Sequence, residues 1–235
     1  MSKNQLIVSE TFYSIQGEGS TMGIPSVFLR LAGCNLLCES THWRCDTIEV
    51  WRKGKTFPFA DVLKEEYIDH LNNGAHLVIT GGEPMMQQQA IIDYLKWLRD
   101  FRNVYPVVEI ETNGTVELIE KFPIGWVHYW NVSPKLPNSG MPYERRVNEI
   151  ALKQLSNSPG NKAIFKFVIS NEQDLIAMDE EYGFLPHPQI MLMPAGDTIE
   201  SLQKTRPMVV ELCKKFGFRF SDRMHISIWD KKTGV

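Results

Sequence analysis

The chain has 235 residues, of which 43% are hydrophobic and 23% charged, ample material for the core of one α/β domain. Its net charge of −3 gives no electrostatic case for nucleic acid as a partner, and apolar runs such as 76–80 are far too short to span a bilayer. Four cysteines and an amino end without an apolar core argue against an export signal and a disulfide framework, so we expect a cytoplasmic single domain over 1–235.

The first segment, 6–15, alternates loosely and ends at Gln16-Gly17-Glu18-Gly19, where two glycines let the backbone approach a ligand. Residues 27–31 read as a buried strand that carries Arg30, a guanidinium needing either Glu18 or a ligand carboxylate as its partner. The cysteine loop 33–47 follows. Helical spacing over 60–73 with Gly74 as its stop leads to a strand at 77–79 and the loop Thr80-Gly81-Gly82-Glu83-Pro84. Ile91, Ile92, Leu95 and Leu98 predict the next helix. Strands at 107–110, 126–132, 163–169 and 190–192 are interleaved with helical stretches at 146–155, 171–182 (stopped by Gly183) and 198–216. On the last of these Cys213 shares a face with Val209 and Leu212, and a tail over 218–235 follows.

Some six alternations of strand and helix predict βα units and a mostly parallel sheet. Every polar oddity follows a strand: the cysteine loop, T-G-G-E-P, E-T-N-G (Glu111 to Gly114), S-P-K (Ser133, Pro134, Lys135) and M-P-A-G-D (Met193 to Asp197). Ligands of parallel α/β folds bind at that edge. Five converging loops therefore predict an enzyme or a small-molecule binder.

The cysteine loop carries Cys34, Cys38 and Cys45 in a C-x3-C-x6-C spacing, with Cys213 far away. Thiolates are soft ligands that select zinc, copper(I) or iron–sulfur clusters. Spacing leaves two outcomes. Either His42 closes a zinc site, or three cysteines hold a four-iron cluster with one iron open.

The tricysteine loop and Gly81-Gly82-Glu83-Pro84, each following a strand, together resemble the radical S-adenosylmethionine enzymes. The ordered pieces F-Y-S-I-Q-G-E-G (12–19), F-L-R-L-A-G-C-N-L (28–36), C-D-T (45–47), E-T-N-G and V-S-P-K resemble, more narrowly, the 7-carboxy-7-deazaguanine synthase family. The likeness runs from the amino end to His225. It implies an incomplete TIM-like barrel of mostly parallel strands with outer helices, a [4Fe–4S] cluster on Cys34, Cys38 and Cys45, S-adenosylmethionine and Mg2+. The implied reaction converts 6-carboxy-5,6,7,8-tetrahydropterin to 7-carboxy-7-deazaguanine with loss of ammonia. A 5′-deoxyadenosyl radical starts it and is handed back.

The resemblance also implies residue roles. Ile15, Gln16, Gly17, Glu18, Arg30, Thr80, His225 and the Val235 carboxylate would meet the substrate. Asp46, Gly82, Glu83, Glu111, Asn113, Ser133, Pro134, Lys135, Met193, Pro194, Ala195 and Gly196 would border the cofactor, and Thr47 would bind the magnesium ion. Methionine at 193 brings no side-chain amide, so only backbone or apolar contacts to adenine are implied there. The tail 218–235 would close on the site, the partners being a second copy of the chain and an electron donor such as flavodoxin. One departure stands out: six residues separate Cys38 from Cys45 where the superfamily usually has two, which leaves His42 as a rival for the middle ligand. Two rivals use the same loop, a glycyl-radical activase and a non-enzymatic zinc module on Cys34, Cys38, Cys45 and His42.

Overall fold

Two antiparallel strands begin the fold, β1 (Gln5–Ile15) and β2 (Pro25–Leu31), and their register sets Glu10 beside Arg30. The computed structural model describes residues 4–40, 44–157, 163–232 and 234. After the cysteine loop come a short helix α1 (Ile48–Trp51) and the edge strand β3 (Lys55–Pro58), neither of which the pattern predicts. Both are four residues long, too short to show a period.

The α/β repeat then takes over: α2 (Glu65–Asn72), β4 (His76–Gly81), α3 (Gln88–Arg102), β5 (Val108–Thr112) and β6 (Tyr129–Val132). It continues through α4 (Tyr143–Arg146), α5 (Glu149–Ser156), β7 (Ala163–Ile169), α6 (Glu172–Tyr182) and β8 (Ile190–Pro194). The chain ends with α7 (Ile199–Phe216), β9 (Arg219–Phe220) and α8 (Met224–Trp229).

Among the described residues nine strands form one sheet in the order β3-β1-β2-β4-β5-β6-β7-β8-β9. Pairing is antiparallel on either side of β1 and parallel from β2 to β9. Since β3 and β9 end the sheet, the barrel is open, as the family resemblance implies. Strands covered on both faces must be apolar along their length. Accordingly β4 is buried from His76 to Thr80, and all of β8 is buried. Helix α3 buries Ile91, Ile92, Leu95 and Leu98, the stripe its spacing predicts, and α7 buries Val209, Leu212 and Cys213.

Three boundaries shift. The helix expected over 60–73 splits into a 3-10 turn, Phe59–Asp61, and α2, because Lys64 turns extended and Val62 and Leu63 go into the core. The stretch 146–155 breaks at Asn148, whose side chain accepts from the Ala151 amide and starts α5. The strand expected from Trp126 starts only at Tyr129, after a 3-10 turn Ile124–Trp126. Gly183 ends α6 in a right-handed conformation, not the left-handed cap that its glycine suggests.

Candidate active site

All five polar loops converge. A cavity of about 810 Å³ is lined by Cys34, Cys38, Cys45, Thr80, Gly82, Glu111, Asn113, Ser133, Lys135, Met193, Ala195 and Gly196. The Gln16 loop, Arg30, Asp46, Thr47 and the tail residue His225 line it too. That volume is within the ~300–1,000 Å³ of cofactor and ligand sites. A second hollow, of about 120 Å³, lies at the opposite strand ends around Arg99 and Trp126.

The wall is close-fitted at the cysteine loop. Parallel pairing of Leu31 with Gly81 carries β2 and β4 side by side into their loops. A Cβ at Gly82 would stand 2.2 Å from the Gly33 carbonyl oxygen and 2.7 Å from Cys34 Cβ, so only glycine lets the two loops touch. The Glu83 amide donates to the Gly33 carbonyl at 2.9 Å, which locks the contact. Glu83 itself does not line the cavity. Its fully buried carboxylate accepts from the amides of Met85 and Asn113 and from the Thr112 hydroxyl, and burial raises its pKa despite those donors. The Glu83 carboxylate therefore has a structural task behind the wall. Pro134 and Pro194 likewise do not face the cavity, while their neighbours Ser133, Lys135, Met193 and Ala195 do.

Asn113 lines the cavity with its amide already engaged. Nδ2 donates to Asn35 Oδ1 at 2.9 Å, and Oδ1 accepts from Thr115. Its side chain thus ties the β5 loop to the cysteine loop.

All three thiols line the cavity. Burial pushes Cys34 up to about 11 and raises Cys38 as well, with Lys135 the cation that opposes both shifts. Left as free thiols, Cys34 and Cys38 stay protonated at neutral pH; metal ligation is what favours the thiolate. Among the described residues no three His, Cys, Asp or Glu side chains are gathered closely enough for a single metal ion. By donor chemistry, three soft sulfur ligands on one loop fit an iron–sulfur cluster. His42 lies outside the described residues. Thr47 stands at the N-cap of α1 without capping it; its hydroxyl lies 3.3 Å from Cys45 Sγ and faces the cavity.

The other half of the cavity is a network of buried charge. Gln16 is 2% exposed, and its Nε2 donates to Glu109 at 2.6 Å and to Glu111 at 3.0 Å. Between two carboxylates the amide nitrogen must point inward, which leaves Oε1 as an acceptor near the Glu18 amide. Glu111 also accepts from Thr80 at 2.8 Å, and the fully buried Glu109 accepts from Thr21 and Asn131.

Arg30 pairs with Glu10 at 2.9 Å and not with Glu18, because the antiparallel register sets Glu10 and Arg30 opposite one another. Glu18 instead accepts from Lys166 and, at 3.0 Å, from Arg223. Burial would raise the Glu18 carboxyl, yet the Lys166 and Arg223 cations hold it far below the usual carboxylate range. Desolvation works against Lys166 too, and Glu18 and Glu111 reverse it and raise its pKa.

Lys166 is the residue sequence reasoning missed. A lysine within the apolar run 163–169 is the same signal that picked out Arg30. Arg223 and Asn131 also line the cavity and received no role.

His225 is packed over Gly17, where a Cβ would stand 2.3 Å from its Nδ1. Desolvation lowers its pKa, with Glu18 opposing. Val235 lies outside the described residues.

Comparisons with known proteins agree with this geometry. The family described as "4Fe-4S single cluster domain" matches residues 15–121. The 7-carboxy-7-deazaguanine synthase of Rhodopirellula baltica is 33% identical over 100% of this chain and 90% of its own length. Its counterpart in Halobacterium salinarum is 31% identical over 96% and 91%, and that in Aquifex aeolicus 34% over 89% and 87%. The crystal structure of QueE from Escherichia coli superposes with a TM-score of 0.68 at 26% identity, covering 94% of this chain and 95% of that one.

Proposed function

The chain belongs to the 7-carboxy-7-deazaguanine synthase family, and we propose that its cavity converts 6-carboxy-5,6,7,8-tetrahydropterin to 7-carboxy-7-deazaguanine with loss of ammonia. The observation that carries this reading is the meeting of the tricysteine loop, the Gly82 loop and the Gln16–Arg30 corner on one cavity wall. Cys34, Cys38 and Cys45 would hold a [4Fe–4S] cluster, which with S-adenosylmethionine would supply the radical chemistry that starts the ring contraction.

The chain's own residues do the rest. Gly82, which lines the cavity beside Cys34, borders the methionine moiety, and Ser133, Lys135, Met193, Ala195 and Gly196 border the nucleoside. Gln16 Oε1, which accepts from the Glu18 amide, has a second lone pair to offer the donor edge of a pterin, and Arg30 offers its remaining N–H groups to the substrate carboxylate. Glu18, Thr80 and His225 complete the substrate wall. The uncapped Thr47 hydroxyl is a hard ligand fitting Mg2+. The segment from 218 onward is the cover that excludes water from a reactive radical.

A second copy of the chain, an electron donor such as flavodoxin and a cytoplasmic setting belong to the same proposal. Among the described residues no helix is long and apolar enough to cross a membrane.

The test is anaerobic reconstitution with iron and sulfide, followed by turnover with S-adenosylmethionine, a reductant and the carboxy-tetrahydropterin. A brown iron–sulfur chromophore and a deazaguanine product detected by mass are expected. A chromophore without that product, together with glycyl radicals raised on a partner protein, would move the chain to the activase class. Colourless protein with stoichiometric zinc would leave only a metal-binding module.

A further inference from the structure

The two halves of the cysteine loop are held by different parts of the molecule. The Cys34 half is tied to the sheet by the Glu83 amide on the Gly33 carbonyl, by Asn113 on Asn35 and by Arg145 Nη2 on the Asn35 carbonyl at 2.6 Å. Among the described residues the Cys45 half has fewer ties. Its amide donates to the Cys38 carbonyl at 3.0 Å, which is a bond within the loop. The pairs of Arg44 with Glu39 and Glu49 lie on the surface, with every side chain at least half exposed, where such pairs contribute little.

One tie is different. Arg223, with a side chain only 13% exposed, reaches from the chain's last segment to Asp46, next to Cys45, at 2.5 Å. The same guanidinium donates to Glu18 at 3.0 Å and to the Gly196 carbonyl. It is itself fixed: Asp222 accepts from its amide at 2.8 Å, and the next amide, of Met224, donates to the Gly17 carbonyl at 2.9 Å. One planar fork thus meets the cysteine loop, the substrate loop and the β8 loop at once, a geometry that guanidinium allows and ammonium does not.

We propose that Arg223 is a positioning residue: by holding Asp46 it sets Cys45 where three thiolates can share one cluster, so that docking of the C-terminal segment and retention of the cluster are one event. This rests on the family reading of the three cysteines as cluster ligands.

The experiment measures anaerobic iron release to a ferrous chelator from the reconstituted chain, followed by loss of the visible chromophore, with no turnover required. A charge-assisted hydrogen bond contributes roughly 1.5–3 kcal/mol, so Arg223→Met should release iron about tenfold faster or more. Asp46→Asn should do nearly the same, and the double variant should be no worse than either single one, since both remove one interaction. Arg223→Lys should fall between, whereas Glu39→Gln, which removes only the exposed pair with Arg44, should release iron at the wild-type rate.

Wild-type release from Arg223→Met, or additive effects in the double variant, would overturn the proposal. Should Arg223→Met fail to fold, Asp46→Asn carries the comparison, because Asp46 lies at the cavity mouth with its side chain 45% exposed. If the wild-type chain takes up no iron–sulfur chromophore, the family reading fails first. Tryptic cleavage at Arg44 in the metal-free chain then decides the tie: faster cutting in Arg223→Met supports it, and equal cutting sinks it.

Discussion

Glu18 illustrates what one side chain does when cations surround it. It sits between Lys166, Arg223 and His225 with its side chain 16% exposed, and its folded pKa lies far below the 4.5 of a free glutamate. A carboxylate with a depressed folded pKa contributes stability that is complete above its unfolded pKa. That contribution is lost as pH falls through the folded value. The wild-type chain should therefore be more stable than Glu18→Gln at neutral pH, and the gap should shrink steadily below about pH 4.5. Urea midpoints of both proteins across that range check it; a gap independent of pH would mean that Glu18 carries no folded-state charge. The same residue shows why pairing was not legible in the chain. Arg30 and Glu18 are two unlike charges near one another in sequence, yet a register that no residue type announces gives Arg30 to Glu10.

Among the elements, legibility followed length and capping. Helix α6 carries a capping box, with the Asn171 side chain accepting from the Gln173 and Asp174 amides and Asp174 accepting in return from the Asn171 amide. Asn171→Ala removes the side-chain half of that box and should cost about 1 kcal/mol, read as a lower urea midpoint with no change in iron uptake. Such a helix start is written in the residues themselves. Strand β3 and helix α1 are not, since four residues of ordinary composition become an edge strand or a turn of helix only where a neighbour accepts them. In β3 that neighbour is β1, paired from Gln5 to Val8. The splitting of 60–73 has the same origin: the core needs Val62 and Leu63 more than the helix needs continuity.

For the molecule as a whole, the core and the cysteine loop are separable. Trp130, Phe165, Phe167 and Tyr182, all at most 1% exposed, lie within the layers of sheet and helix, while Cys34 and Cys45 are only partly buried at the cavity rim. Cys34→Ala should accordingly abolish the chromophore and turnover, yet keep the far-UV circular dichroism and a urea midpoint within about 0.5 kcal/mol of the metal-free wild type, as for substitutions outside the core. Unfolding of that variant would show that the loop is part of the core's support. Cys38 is the more buried thiol, 5% exposed, so its truncation should cost more stability than that of Cys34.

The order of the βα units and the edge on which the polar loops gather were determined by sequence alone, since each depends on local spacing. Only the tertiary structure decided which charges meet. Lys166, Arg223 and Glu18 are far apart along the chain, and Gln16 is likewise far from Glu109 and Glu111. Contacts of that kind depend on strand register and on where the last helix lands, and both are set by packing of the whole core rather than by any short stretch of sequence.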